Sequence, residues 1–371
     1  DSVEDQTVSV TTADDDTAGY TIVESGGSTS VTESGTTDTF TLVLNTQPLS
    51  DVVFSISSSD TGEATVTTTL TFTPANWDTA QTGTVTGIDD SIIDGTQTAT
   101  ITVSINDGSS DDDFDSLADQ TITTSNVDDD VAGFTIAETD GSTAVAESGS
   151  TDTFTVVLNA QPTSDVVLSI TSNDTGESSI PSAITFTSAN WDTAQTVTVT
   201  GVDDDIIDGE QGSSLTITID DSNSDNDFDS VADQTVSVTT SDNDVAGFTI
   251  AETDGSTGVA ESGSTDTFTV VLDAQPSSDV VIAITSGDTG EATVSGSLTF
   301  TSANWDTAQT VTVTGVDDDI IDGTITSTIT ASIVDAISDT NFGSVSDETV
   351  SVTTSDDDVA GITIAVTDGS T

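Results

Sequence analysis

Apolar residues alternate with Thr and Ser in short runs along the whole chain. Phe154, Val156 and Leu158 alternate along DTFTVVL, Val197 and Val199 along QTVTVTG, Leu215, Ile217 and Ile219 along SSLTITI, and Val236 and Val238 along QTVSVTT. A period of two puts one set of side chains on one face of an extended segment, and β-branched residues suit that pleated surface. Gly, Asp, Asn and Ser punctuate the runs, and no stretch holds the spacing of an amphipathic helix. Seven or eight antiparallel strands of this kind in about 110 residues predict a two-layer β-sandwich of immunoglobulin-like size.

The pattern repeats. DSVEDQTVSVTTADDD at Asp1 returns at Asp115, at Asp229 and at Gly343, always 114 residues on, and Trp77, Trp191 and Trp305 keep the same interval. A fixed period marks tandem structural units. The expected organisation is three sandwiches, 17–130, 131–244 and 245–358. Residues 1–16 then form the last strand of a preceding repeat, and 359–371 the first strand of a following one. The chain thus reads as a window on a longer repetitive polypeptide.

Composition narrows the chemistry. Among 371 residues there is no Lys, Arg, His, Cys or Met, against 67 Asp and Glu, a formal net charge of -67. Nucleic-acid binding lacks its cations, as does attachment to anionic membranes. Disulfides, Cys/His zinc sites, catalytic triads and Schiff bases lack their parts. No apolar run is long enough to span a bilayer. A glycosidase-like carboxylate pair is conceivable, but its site would have to recur in every repeat. So much unbalanced charge would suit a disordered polyanion, yet the strand pattern argues against disorder.

The acids are not spread evenly. The strand faces are Thr and Ser, and the carboxylates gather between strands. Each repeat carries a Glu before a Ser-Gly turn (Glu33, Glu147, Glu261) and a D-T-G-E turn (Asp60 and Glu63, Asp174 and Glu177, Asp288 and Glu291). A dense loop follows: Asp89, Asp90 and Asp94; Asp203, Asp204, Asp205 and Asp208; Asp317, Asp318, Asp319 and Asp322. A terminal run closes each repeat: Asp128, Asp129 and Asp130; Asp242 and Asp244; Asp356, Asp357 and Asp358. A less regular acidic loop holds Asp111 to Asp113, Asp225 with Asp227, and Asp339. Loops at alternate strand junctions share one end of a sandwich, so the first four groups can meet at one tip. Converging carboxylates need a counter-charge, and Ca²⁺, which takes six to eight oxygens, suits them. The spacing is not that of an EF-hand, because Ser214 stands where its closing Glu belongs. Isolated acids such as Asp38, Asp51 and Asp78 read as ordinary turn residues.

Three stretches together, VAESGSTDTFTVVL, ITFTSANWDTAQTVTVTGVDDDIIDG and VSVTTSDND, resemble the Calx-β domain, in particular its repeat variant in bacterial surface adhesins and cadherin-like proteins. The resemblance covers all three periods. It implies a seven-stranded sandwich binding Ca²⁺ at one tip, with Glu147, Asp203, Asp204, Asp208, Asp242 and Asp244 and their equivalents as ligands. The Glu residues that follow the Asp pair in sensor members are missing here, apart from Glu210 in one repeat, so fewer ions per site are expected.

Only Val-Ala-Gly separates each terminal Asp run from the next strand, too short for a flexible tether. Ca²⁺ at the tip should therefore fix the angle between neighbours, each repeat adding about 40 Å. The expected function is a structural segment of an extracellular filament or surface-adhesin stalk, not an enzyme. Its partners are neighbouring repeats and, in a fibre, other copies. The alternative is a module that binds a glycan, ice or a host protein, for which Thr-x-Thr rows and the three Trp residues are the candidate features.

Overall fold

The computed structural model describes residues 2–365. Its strands form six sheets that pack as three sandwiches, over Tyr20–Val127, Phe134–Ser241 and Phe248–Ser355. Every described residue outside strands is in turns, short 3-10 segments or irregular backbone. No described helix is long and apolar enough to cross a membrane.

The first repeat shows the plan. Its strands are β1 (Tyr20–Glu24), β2 (Thr29–Thr32), β3 (Thr37–Leu44), β4 (Val52–Ser58), β5 (Ala64–Val66), β6 (Thr69–Phe72), β7 (Gln81–Gly87), β8 (Gln97–Ile105) and β9 (Gln120–Val127). One sheet runs β1-β3-β7-β5 and the other β2-β9-β8-β4-β6. Alternate residues of both inner faces form the core, including Phe40, Leu42, Phe54, Ile56, Phe72, Ile101 and Val103. Phe114, from the loop after β8, closes one end. Burying large aromatic surface is the main source of cohesion available to a chain without disulfides or ion pairs. Trp77, Trp191 and Trp305 are half-buried at the core margins.

Two features depart from the pattern read in the sequence. Each repeat has nine strands where seven or eight were expected, and one pairing is parallel. Both have one cause. The first extended segment is broken by Ser25–Gly27, where Gly26 (φ 66°) and Gly27 (φ 86°) adopt left-handed backbone, and Asp140 and Asp254 (φ 58° each) do the same in the other repeats. The kink carries the chain from one sheet to the other. β1 pairs antiparallel with β3, and β2 pairs parallel with β9, Thr29 opposite Thr124 through Thr32 opposite Val127.

Residues 2–19 and 359–365 form no strand. Among the described residues of the segments expected to be extended, 2–16 and 359–365 pair with no strand edge, and a strand needs one to satisfy its backbone. Residues 366–371 lie outside the described residues.

Candidate metal centre

The parallel pair decides where the acids meet. Because β2 and β9 run the same way, they end at the same tip, and Glu33 N–H donates to the Val127 carbonyl there (3.1 Å). Glu33 follows β2 directly and Asp128–Asp130 follow β9. The loop after β7 brings Asp90 and Asp94 to the same place. At the end of β7 a side chain cannot be accommodated: a Cβ on Gly87 would collide with the Thr32 carbonyl oxygen, and Gly201 and Gly315 stand likewise against Ala146 and Ala260.

Five groups of three carboxylates place ligand oxygens within 4.8 Å of one another. The first repeat has Glu33, Asp90 and Asp130. The second has two groups sharing Glu147: one with Asp242 and Asp244, the other with Glu177 and Asp204. The third has two sharing Asp318: one with Glu261 and Asp358, the other with Glu291 and Asp322. Glu33 and Glu261 are completely buried, Glu147 is 1 % exposed, and Glu177 and Glu291 are 7 % exposed.

Many oxygens of these carboxylates lack partners inside the protein, although one oxygen of Glu147 accepts from the N–H of Asn243 (3.2 Å). Both oxygens of Glu33 and Glu261, and one each of Glu147, Glu177, Glu291, Asp130, Asp244 and Asp358, are buried without a hydrogen bond. Burial, with neighbouring carboxylates adding to it, pushes Glu33 from an ordinary 4.5 to about 7, and burial does the same for Glu147. Burial also raises Glu177, Glu261, Glu291, Asp130, Asp244 and Asp358. Two like charges at this spacing near a protein surface repel by roughly 3 kcal/mol. A buried, unpaired carboxylate is among the most costly groups a fold can hold.

Some of these acids and their neighbours also shape the loops. Asp128, Asp242 and Asp356 accept from the N–H of Gly95, Gly209 and Gly323 (2.8 Å each), tying the terminal run to the DG turn. Asp90, Asp204 and Asp318 accept from the N–H two residues on (2.7 Å each). In the terminal runs the first and third side chains turn inward, while Asp129 and Asp357 are exposed, as an extended backbone requires. Asp89, Asp203, Asp205, Asp317 and Asp319 are exposed on the rim, and Asp94 and Asp208 are exposed at the start of the DG turn. Of the D-T-G-E turn it is Glu177 and Glu291 that join the clusters; Asp60, Asp174 and Asp288 cap their own turns through Gly62, Gly176 and Gly290 (3.0 Å each).

Glu63 does not follow its equivalents. Asn126 donates to its Oε2 (3.1 Å) and to the Ile88 carbonyl (3.0 Å). The other repeats have Thr240 and Thr354 there, and their hydroxyls reach only the Glu177 and Glu291 backbone carbonyls (3.3 and 3.4 Å). The pattern of acids does not point to Asn126; the Asn-for-Thr exchange one period apart is its visible sign in the sequence.

The acidic loop that looked irregular contains one strictly periodic residue. Asp111, Asp225 and Asp339 are buried in the loop between the last two strands of each repeat. Asp111 accepts from the N–H of Leu49 (2.6 Å) and Ser50 (2.8 Å), and these donors hold it below the usual carboxylate range. It is a loop anchor, fully partnered, and unlike the tip acids.

The tip donor set consists of oxygen atoms alone, which suits a hard divalent cation. Ligands on opposite sides of a Ca²⁺ ion, each at about 2.4 Å, stand about 4.8 Å apart, so oxygens that all lie within that distance of one another can share one coordination sphere. The residues present fit the ion.

No protein-family model matches the sequence, and a comparison with curated proteins finds no match. Among solved structures, the calcium-binding domain CBD12 of CALX1.1 is similar at 17 % identity, over 54 % of this chain and 79 % of that one, with a TM-score of 0.24. The titin I-band fragment I67–I69 is similar at 8 % identity over 91 % and 98 %, TM-score 0.26. Domains 4–9 of the surface layer protein SbsC are similar at 17 % identity over 91 % and 47 %, TM-score 0.27.

Proposed function

We propose that this chain is a structural spacer of Calx-β-like repeats, part of an extracellular filament or surface-adhesin stalk, in which Ca²⁺ bound at each tip stiffens the joint to the next repeat. The observation that carries the reading is the set of buried carboxylate oxygens without partners, repeated at all three tips, two of which stand beside an inter-repeat junction. Nothing cationic in the chain can neutralise them, since it has no Lys, Arg or His. The second and third repeats each offer two overlapping subsites. The first offers one, because Asn126 engages Glu63. Low-calcium compartments would leave such sites empty, so the reading places the protein outside the cell.

Calorimetric titration with Ca²⁺, melting and small-angle scattering test it together. Ca²⁺ should bind, raise the melting temperature and lengthen the maximum dimension, and excess chelator should reverse all three. Melting and scattering indifferent to chelator would refute the reading. Binding restricted to Glu→Gln-sensitive tips, with Glu147→Gln and Glu261→Gln each removing ions from one repeat, would locate the ions.

A further inference from the structure

Each repeat is entered and left in one direction. The chain comes in along β1 and β2, which both run toward the acidic tip, and goes out along β9, which runs the same way and ends at that tip. In the second repeat the incoming segment is Thr143–Ala146 and the outgoing strand Gln234–Ser241; in the third they are Thr257–Ala260 and Glu348–Ser355. A pull transmitted along the chain from repeat to repeat therefore draws the incoming strand back from the tip and the outgoing strand past it. The two strands that take this load are parallel neighbours, Thr143 opposite Val238 through Ala146 opposite Ser241 in the second repeat. The pull acts along the strands and across the hydrogen bonds between them, so it strains all of those bonds together and not one after another.

Three features reinforce the pair. The N–H of Ala144 donates to the Asp152 carboxylate (2.8 Å) and that of Ala146 to Ser150 Oγ (2.7 Å), which leaves the alternate amides to the outgoing strand, and the Glu147 N–H continues the ladder to the Ser241 carbonyl (3.1 Å). Glu33 to Val127 and Glu261 to Ser355 extend it in the other repeats (3.1 and 3.0 Å). Thr143 and Val145 are buried, which ties the incoming strand to the core. The outgoing strand is covered on its other side by Gln211–Ile219, so it has no free edge from which to peel. Without the switch of sheets that sets Thr143–Ala146 beside it, the outgoing strand would be an edge.

We infer that the parallel pair is a mechanical clamp, and that each repeat is a load-bearing unit whose resistance to stretching is set by that pair. This deepens the stalk reading and rests on it for the source of the load; the clamp itself is made of backbone bonds and needs no ion. Resistance to force follows the unfolding barrier along the pulled direction and not the equilibrium stability. The same repeat should therefore be strong when pulled from end to end and weak when its strands are unzipped. The carboxylate cluster of Glu147, Asp242 and Asp244 follows these two strands directly, so an ion held there as proposed would bridge the pair under load.

The chain contains no Cys, so pairs of introduced cysteines fix where a force probe holds the otherwise intact three-repeat chain. Val131→Cys with Val245→Cys loads the second repeat from end to end. Ser142→Cys with Val245→Cys loads the parallel pair alone. Glu210→Cys with Val245→Cys unzips the outgoing strand from its antiparallel neighbour, beginning at Gln211 and Thr240. All four positions are exposed, and unchanged melting of each variant verifies its fold. In excess chelator the first two pairs should rupture at severalfold higher force than the third. End-to-end rupture no higher than unzipping, or a parallel pair that yields at the unzipping force, would overturn the inference. Ca²⁺ should raise the force on the Ser142–Val245 pair further, and Glu147→Gln should remove that rise; ion binding that leaves this force unchanged would overturn the bridge across the pair. Calorimetry on the same variants separates the two readings: a strong clamp in a chain that binds no ion removes only the calcium reading, and ion binding in a chain whose parallel pair yields early removes only the clamp.

Discussion

Asn126 separates the first tip from the other two by a single amide group. In the second and third repeats the threonine at that place leaves one oxygen of Glu177 and Glu291 buried without a partner. In the first, the amide satisfies Glu63 and withdraws it from the cluster. Asn126→Thr should release Glu63 and raise the Ca²⁺ stoichiometry of the chain by one ion in calorimetric titration, with the other tips unchanged. Protonation is the second property set residue by residue. Glu33 and Glu147 are held near 7 when folded, above the 4.5 expected when unfolded. Between those values the folded state binds more protons than the unfolded one, so without calcium the stability these groups contribute is present at low pH and is lost as pH rises through about 7. Ca²⁺ bound as proposed would invert this, because it requires the deprotonated carboxylates. Melting in chelator should rise as pH falls from about 7.5 to about 5, and melting in excess Ca²⁺ should fall over the same range. Parallel trends in the two conditions would contradict this account.

At the scale of elements, the strand runs, the period and the acidic positions were legible in the sequence, because a half-buried strand must alternate and a tandem array must repeat. The alternation in DTFTVVL and QTVTVTG became β-strands whose inward residues are fully buried, Phe154 and Val197 among them. The nine-strand count and the parallel pair were not legible, because both depend on a kink at Ser25–Gly27 that local pattern reads only as a turn. With antiparallel pairing throughout, β2 and β9 would end at opposite tips and Glu33 would never meet Asp130. A Glu before Ser-Gly and a run of Asp are common enough in sequence; it is the sheet switch that makes them neighbours. The role of Asp111 was hidden for a related reason. Its loop is crowded with other acids, and only its hydrogen bonds to the Leu49 and Ser50 amides distinguish it. Ile92 and Ile93, which meet the second repeat, did leave a mark, since two β-branched apolar residues within an acidic loop are out of place unless something covers them.

At the scale of the molecule, the carboxylate cluster and the joint lie on one loop. Asp90 belongs to the tip cluster and Ile92 and Ile93, two and three residues later, reach the next repeat; Asp204 with Ile206 and Ile207 does the same one period on. Anything that orders the aspartate side of the loop therefore orders the seat on its neighbour. The ion and the isoleucines should contribute separably. Replacing Ile93 and Ile207 by Asp leaves each carboxylate cluster intact while removing the apolar seat. Each seat is a partly buried side chain, so its loss costs the joint about 1 kcal/mol or more but takes nothing from the interior of either sandwich. The doubly substituted chain should still bind Ca²⁺ with the original stoichiometry and melt close to the original temperature. Its scattering should nevertheless be that of a jointed chain, with a shorter mean dimension in calcium than the parent has. If the substituted chain stays as extended as the parent, the ions alone hold the joints and the isoleucine seat is only a covering.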